Sequence, residues 1–370
     1  MSIIKNKKPT NNFFMELALM QAKKNLGNTN KNPSVGCVIV KNNHLISAAC
    51  TSLKGRPHAE VNAISFANNK VKDSSMYVTL EPCSHYGITA PCVKSIVSKK
   101  IKKVFFSVND PDPRSYNKSS KYLKRSNIKV KKGLLYSRSK SFYKSYFKSR
   151  LSDVPFLTAK LAVSKNLYTS RVKKKWITNK YSRGRVHLMR NYNDCILTSV
   201  KTVISDDPLL NCRISGTEKN SPARVILDKE LKIPMNSRIV KTSIKYTTII
   251  FFNKANKNKI KRLKDLKIKL VKFPLNNDGE FNLRDVMIKI KILGYSRLFL
   301  ESGLKLLTNF LKMNLINDFY LFTSNKSIGK REGRNSFKKV MNIYFNKKLL
   351  TLKKVNLLGD KLFFIRLNNV

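Results

Sequence analysis

Acidic residues are scarce in this sequence: 21 Asp and Glu stand against 75 Lys and Arg over 370 residues, a formal net charge of +54. Long apolar runs are absent too. No stretch reaches about 18 consecutive apolar residues, which excludes a membrane-spanning helix of the usual kind. Met1 to Thr10 is polar and lysine-containing, with no apolar segment of signal-peptide type behind it, so a cytoplasmic protein is expected. Cysteine is limited to six residues, Cys37, Cys50, Cys83, Cys92, Cys195 and Cys212. Without a secretory signal they do not read as a disulfide framework, and metal binding or plain burial is expected instead. Cys37 and Cys50 lie in apolar, strand-like runs and read as small core residues. No strand-like run is followed by Gly-x-Gly-x-x-Gly, so a Rossmann dinucleotide site is not supported.

What remains is a chain able to fold. Hydrophobic residues make up 42% and are spread along its whole length, which suits packed interiors rather than disorder. Its length exceeds one ordinary core and fits two, placed at 1–150 and 151–370. Lysine travels with asparagine and isoleucine everywhere in the chain, a pattern of compositional drift rather than of a patch built for phosphate backbones. Neither nucleic acid nor a membrane is therefore expected as a partner. The basic, aromatic segment Ser137 to Arg150 reads as a helix with one apolar face. A positive field would also raise encounter rates with phosphorylated small molecules.

Chemistry concentrates in the first half. Phe13 to Leu26 has helical periodicity and is followed by two strand-like runs, Val35 to Lys41 and Leu45 to Cys50, around an Asn42-Asn43 turn. Arg56-Pro57-His58-Ala59-Glu60 then opens a helix, with His58 and Glu60 at its first turn. A strand, Met76 to Leu80, runs into Glu81-Pro82-Cys83, and helical periodicity resumes after Pro91 with Cys92. One imidazole and two thiolates leave a fourth tetrahedral position of zinc (Zn2+) to water, the pattern of a catalytic site rather than a closed structural one. Helix N-termini favour the thiolate forms. Glu60 cannot easily reach the metal from the same turn, but it can take a proton from the activated water and pass it to a leaving amine. His85 is a rival ligand by chemistry; in the loop between the two cysteines it also reads as substrate-facing or simply exposed.

The order His-Ala-Glu, Pro-Cys, Cys resembles the cytidine-deaminase superfamily, here with eight residues between the cysteines. That spacing, together with Asn32-Pro33-Ser34-Val35-Gly36, Thr79 to His85 and Asn109-Asp110-Pro111-Asp112-Pro113, is similar to the deaminase half of the bifunctional deaminase/reductase family of riboflavin biosynthesis. The resemblance implies Asn32 and His85 on the substrate side. Ile88 stands where that family usually carries Arg.

In the second half, strand-like and helical runs alternate from Phe156 to Phe322, which predicts an α/β domain with a largely parallel sheet. A closing strand pair is expected near Val355 to Leu358 and Leu362 to Leu367. Trp176-Ile177-Thr178, Ile196 to Val203, Asp206 to Arg213 and Glu301-Ser302-Gly303 occur in the order of the same family's reductase half. The resemblance therefore implies an α/β protein with an N-terminal cytidine-deaminase-like three-layer domain and a C-terminal dihydrofolate-reductase-like domain. It implies NADPH as second cofactor, with Ala162, Trp176, Thr202, Asp206 and Gly303 at cofactor positions and Arg190, Leu210, Arg213 and Glu301 at substrate positions. Planar guanidinium forks at Arg190 and Arg213 suit a ribose phosphate, although solvated arginines are common in so basic a chain, and Trp176 also fits ordinary core packing. The family's Ser-x-Asp-Gly reads Ser164-Lys165-Asn166-Leu167 here, Lys174 and Lys229 replace serines, and Leu304 occupies a small-residue or Pro position. The function implied is deamination of a phosphorylated diaminopyrimidinone ribosylamine, then reduction of its ribosyl group, by a homo-oligomer. A deaminase with a non-catalytic reductase-like half, or a deaminase of tRNA type, are the alternatives.

Overall fold

The computed structural model describes residues 9–68, 70–171, 176–329, 333–345 and 350–368. The chain separates into two compact units, Met1–Ser152 and Asp153–Val370.

The first unit opens with α1 (Asn11–Lys24), whose N-cap Thr10 accepts a hydrogen bond from the Phe13 amide while Lys23 and Lys24 sit in the last turn, a favourable charge at the carbonyl end. β1 (Gly36–Lys41) and β2 (His44–Cys50) form a hairpin. Asn42 and Asn43 both take positive φ, 51° and 63°, the geometry of a two-residue type I′ turn. There follow α2 (Ala59–Phe66), β3 (Ser75–Leu80), α3 (Cys92–Ser98), β4 (Lys103–Val108), α4 (Lys118–Arg125), β5 (Lys129–Lys132) and α5 (Tyr136–Leu151). The sheet order is β2-β1-β3-β4-β5, with β1 antiparallel to both neighbours and β3, β4 and β5 parallel. Ile39, Met76, Val78 and Phe106 pack with Ala59, Ala63, Val93 and Ile96 of α2 and α3. Val38, Val40 and Tyr77, pointing the other way, pack with Phe14, Met15 and Ala18 of α1. Alternation within each strand thus builds a three-layer unit. Glycine is required at Gly36, where a Cβ would lie 1.8 Å from the Ala18 carbonyl oxygen.

The second unit contains β6 (Phe156–Val163), β7 (Tyr168–Arg171), α6 (Lys180–Asn191), β8 (Cys195–Ser199), α7 (Val200–Asp206), β9 (Ala223–Leu227), α8 (Arg238–Lys241), β10 (Thr248–Phe252), α9 (Lys257–Asp265), β11 (Lys269–Lys272), α10 (Leu283–Ile292), β12 (Arg297–Glu301), α11 (Leu304–Lys312), β13 (Asp318–Thr323), β14 (Gly333–Ser336), α12 (Lys338–Phe345), β15 (Thr351–Leu352) and β16 (Lys361–Arg366). Its large sheet runs β11-β10-β9-β8-β12-β6-β13-β16-β15, parallel as far as β13 and antiparallel thereafter. Both faces are covered: Ile249 and Phe251 of β10 belong to one core, Ile250 and Phe252 to the other. Such two-sided burial explains the continuous apolar runs of these strands. Because β12 returns between β8 and β6, the chain reverses direction across the sheet there. Ligands of open α/β sheets bind beyond the carboxyl ends of strands at such a reversal.

Two sequence expectations need correction. Val355 to Leu358 is not a strand: β16 pairs with β13 and with the two-residue β15, and Leu357 makes only an isolated bridge to Asp360. Positive φ at Leu358 and Gly359 turns the chain too tightly for a longer ladder. Cys37 is fully buried, but Cys50 is half-buried and its Sγ accepts from Asn25 Nδ2 at 3.4 Å. All six cysteines are free thiols, and no described helix is long and apolar enough to cross a membrane.

Candidate active sites

In the first unit, His58 is the N-cap of α2, Cys83 follows the end of β3 by three residues, and Cys92 is the first residue of α3. The sheet thus brings two helix starts and one strand end together. His58 Nδ1 lies 3.6 Å from Cys83 Sγ and 3.3 Å from Cys92 Sγ, and all three donor atoms lie within 4.8 Å of one another. Zinc bonds imidazole nitrogen at about 2.0–2.1 Å and thiolate at about 2.3 Å, so a tetrahedral set would hold N and S about 3.5 Å apart. The three residues fit zinc by both donor chemistry and spacing. The Cys92 side chain and His58 stabilise the Cys83 thiolate and pull its pKa down against burial. The Cys92 thiol is pushed up, by its bond to Cys83 and by burial; a divalent cation would reverse that.

Glu60, in the first turn of α2, is 3% exposed. Burial pushes its carboxyl up to about 7, with His58 opposing and the Cys83 charge adding, which places it where a proton carrier works best at neutral pH. His85 is not part of the donor cluster; its Nδ1 bonds Ser115 Oγ at 2.8 Å. Asn32 donates from Nδ2 to the Gly55 carbonyl at 2.9 Å, and Gly55 itself takes φ +92° with Asn32 directly against it. Ile88 is 89% exposed, and the Arg56 guanidinium bonds Thr89 Oγ1 beside it.

In this unit Glu81 carries no signal of its role in the sequence beyond its place beside Pro82-Cys83. Glu81 is buried and accepts from the backbone amides of Asp110, Asn117 and Ser119 and from Ser119 Oγ, at 2.8–3.3 Å. It ties the loop after β4 to the first turn of α4, and so holds Ser115 behind His85.

In the second unit the residues expected on the substrate side meet at the carboxyl end of β12, where Glu301 ends the strand. Arg190 forks onto Glu301, Nε to Oε1 at 2.5 Å and Nη2 to Oε2 at 3.0 Å, and donates from Nη1 to the Asn211 carbonyl at 2.9 Å. Its donors are thus engaged within the protein. Arg213 is exposed and donates to Asn211 Oδ1 at 2.7 Å; Leu210 is buried with φ 49°. Lys160 of β6, unnoticed in an alternating strand, reaches Glu301 at 3.4 Å.

The residues expected on the cofactor side lie on several elements. Ala162 is half-buried on β6, Thr202 lies on α7 near Ser199, Asp206 ends α7, and Gly303 is the N-cap of α11. Trp176 is 55% exposed with Arg183 over its ring at 4.8 Å, so core packing does not explain it. Lys174 lies outside the described residues. Lys229 is held by the Gly279 carbonyl and Glu280. Asn166 exchanges two hydrogen bonds with Ile328, and Leu167 takes φ 68° with its side chain packed on the core. The left-handed turn is therefore kept without its usual glycine, at a cost of about 1–2 kcal/mol.

The model of the cytidine and deoxycytidylate deaminase zinc-binding region matches residues 8–108, and that of the RibD C-terminal domain matches 155–364. The riboflavin biosynthesis protein RibD of Aquifex aeolicus is 35% identical over 319 residues, 86% of this chain and 87% of that protein. The chain belongs to the RibD family. RibD of Bacillus amyloliquefaciens is 32% identical, covering 90% of this chain and 91% of its own. RibD of Acinetobacter baumannii superposes with a TM-score of 0.83 at 27% identity, covering 96% of this chain and 98% of that one. The diaminohydroxyphosphoribosylaminopyrimidine deaminase/5-amino-6-(5-phosphoribosylamino)uracil reductase of Thermotoga maritima does so at 0.81 and 27%, with the same coverage. As a RibD-family protein the chain is a bifunctional enzyme of riboflavin biosynthesis, with a zinc-binding deaminase and a reductase in one polypeptide. The cytidine-deaminase-like fold expected from the sequence is observed, and the half expected to be dihydrofolate-reductase-like has the fold of the RibD reductase domain.

Proposed function

We propose that residues 1–150 deaminate 2,5-diamino-6-(5-phosphoribosylamino)pyrimidin-4(3H)-one and that residues 151–370 reduce the ribosyl group of the product to ribityl. Zinc and NADPH are the cofactors. The observation that carries the reading is the buried Glu60 beside the His58, Cys83 and Cys92 donors, in a chain matching RibD proteins over nearly its whole length.

His58, Cys83 and Cys92 hold the metal, which when bound supplies Lewis-acid activation of water at neutral pH. Glu60 takes the proton of the attacking water and delivers it to the departing amine, so that ammonia leaves rather than an amide anion. Asn32 and His85 orient the heterocycle, with Ser115 fixing the His85 ring. In the second unit Ala162, Trp176, Thr202, Asp206 and Gly303 line the dinucleotide, which when bound supplies the hydride. On the substrate side Leu210 and Arg213 receive the ribose phosphate beside Arg190 and Glu301, which are paired with each other.

The deciding assay supplies the diaminopyrimidinone ribosylamine phosphate to zinc-replete protein, with and without NADPH. Glu60→Gln is expected to lower ammonia release by about 10²- to 10⁴-fold and to leave NADPH oxidation intact when the deaminated intermediate is supplied. Ammonia release without NADPH use in the parent protein would reduce the second unit to a non-catalytic partner. The reading extends to a cytoplasmic homo-oligomer with no nucleic-acid partner; equilibrium sedimentation giving the 42.5 kDa of one chain at micromolar concentration would remove the oligomer.

A further inference from the structure

Arg224 of β9 is fully buried, the largest such side chain among the described residues. Its hydrogen-bond partners there are all neutral oxygens. Nε donates to Thr248 Oγ1 at 3.1 Å, Nη1 to the Leu209 carbonyl at 3.2 Å and Thr242 Oγ1 at 2.8 Å, and Nη2 to the Ile239 and Tyr246 carbonyls at 2.9 and 3.1 Å and to Thr248 Oγ1 at 2.6 Å. Burial lowers its pKa to about 10, so the group stays charged at neutral pH. An apolar side chain of similar volume would avoid the desolvation of that charge. What it could not supply is a rigid plane of five donors able to collect carbonyls from separate segments.

Those segments converge on the substrate side of the reductase. The Leu209 carbonyl that Arg224 grips precedes Leu210, held at positive φ, and Asn211. Asn211 donates from Nδ2 to the Tyr246 hydroxyl at 3.1 Å, and the Tyr246 ring lies 5.4 Å from the Arg224 guanidinium. Asn211 accepts in turn from Arg190 and Arg213. Arg224 thus reaches the segment twice, through the Leu209 carbonyl and through Tyr246.

We propose that Arg224 is a positioning residue of the reductase. It touches no substrate, but fixes Leu209 to Arg213 so that Leu210 and Arg213 meet the ribose phosphate. This rests on the assignment of those two residues to the substrate side. A loosened segment costs mainly binding, so the signature is a rise in KM rather than a fall in kcat.

The test uses the full-length, zinc-loaded enzyme with the deaminated intermediate as reductase substrate. Arg224→Met is expected to raise its KM about tenfold or more, Arg224→Lys to fall between, and kcat, the KM for NADPH and the rate of ammonia release to stay within about twofold. A lowered melting temperature with unchanged KM, or a fall confined to kcat, overturns the proposal. Should Arg224→Met also lose deamination, the chain is misfolded and Tyr246→Phe decides: a KM rise of a few-fold supports the second link, and no rise overturns it. Arg213→Ala separates the two readings. If it leaves KM unchanged, the site assignment fails; if it raises KM while the Arg224 and Tyr246 variants do not, positioning fails alone.

Discussion

Glu301 ends β12 buried among cations. Burial alone would push its carboxyl up, but Arg190 and then Lys160 outweigh it and hold the pKa at about 2. A carboxyl depressed in the folded state from its ordinary value of 4.5 binds fewer protons there than when unfolded, so its contribution is complete above about pH 4.5 and is lost as pH falls toward 2. Its size is on the order of 3 kcal/mol. Acid titration of the unfolding free energy is expected to show this loss in the parent protein. Glu301→Gln should start less stable at pH 7, with Arg190 left unpaired, and lose less below pH 4.5; parallel curves would show that the pair contributes no proton linkage. At this same scale lies the limit of the sequence reading. His58, Glu60, Cys83 and Cys92 were legible because each sits at a fixed offset from a helix start or strand end. The Arg190–Glu301 fork was not: both residues were assigned to substrate by resemblance, and nothing local to either shows that two residues 111 positions apart spend their charges on each other.

The β1–β2 hairpin shows local chemistry deciding an element. Asn42 and Asn43 both adopt left-handed backbone, and asparagine tolerates that conformation less well than glycine at the second turn position. Asn43→Gly is therefore expected to raise stability by about 0.5 kcal/mol, because relief of the left-handed strain, about 1–2 kcal/mol, exceeds the extra entropy glycine loses on folding, about 0.5–1 kcal/mol. The gain is read as a higher melting temperature with an unchanged rate of ammonia release. A lower melting temperature would mean that the Asn43 side chain contributes more than its backbone strain costs. Elements with strong periodicity were readable: α1, the β1–β2 hairpin and β3 fall within a few residues of the expected runs, and the alternation expected from Phe156 to Phe322 is that of β6 to β13 and the helices between them. The stretch from Lys326 to Lys354 was opaque for physical reasons. β14 pairs with β7, more than 150 residues earlier, and β15 is two residues long; neither leaves a period to count. Glu81 is similar, since its partners lie 29 to 38 residues away, in a loop and the first turn of α4.

At the scale of the whole molecule the charge of +54 remains the property least used by either site. Like charges crowded on the folded units repel, and unfolding relieves that repulsion, so salt is expected to stabilise the protein by screening. The same field draws in an anionic substrate, and screening weakens the attraction. Raising NaCl from about 0.05 M to 0.5 M shortens the Debye length from more than about 10 Å to a few ångströms, and the two consequences point in opposite directions. The melting temperature should rise, while kcat/KM for the phosphorylated substrate falls several-fold. The dephosphorylated ribosylamine serves as control, because it lacks the doubly charged group and its kcat/KM should move little. If both substrates lose rate equally, salt is acting on the active site or on zinc retention, and the basic surface has no part in substrate capture. If the phosphorylated substrate alone is affected, a charge accumulated along the entire chain works as a long-range funnel, without any one lysine being placed for it.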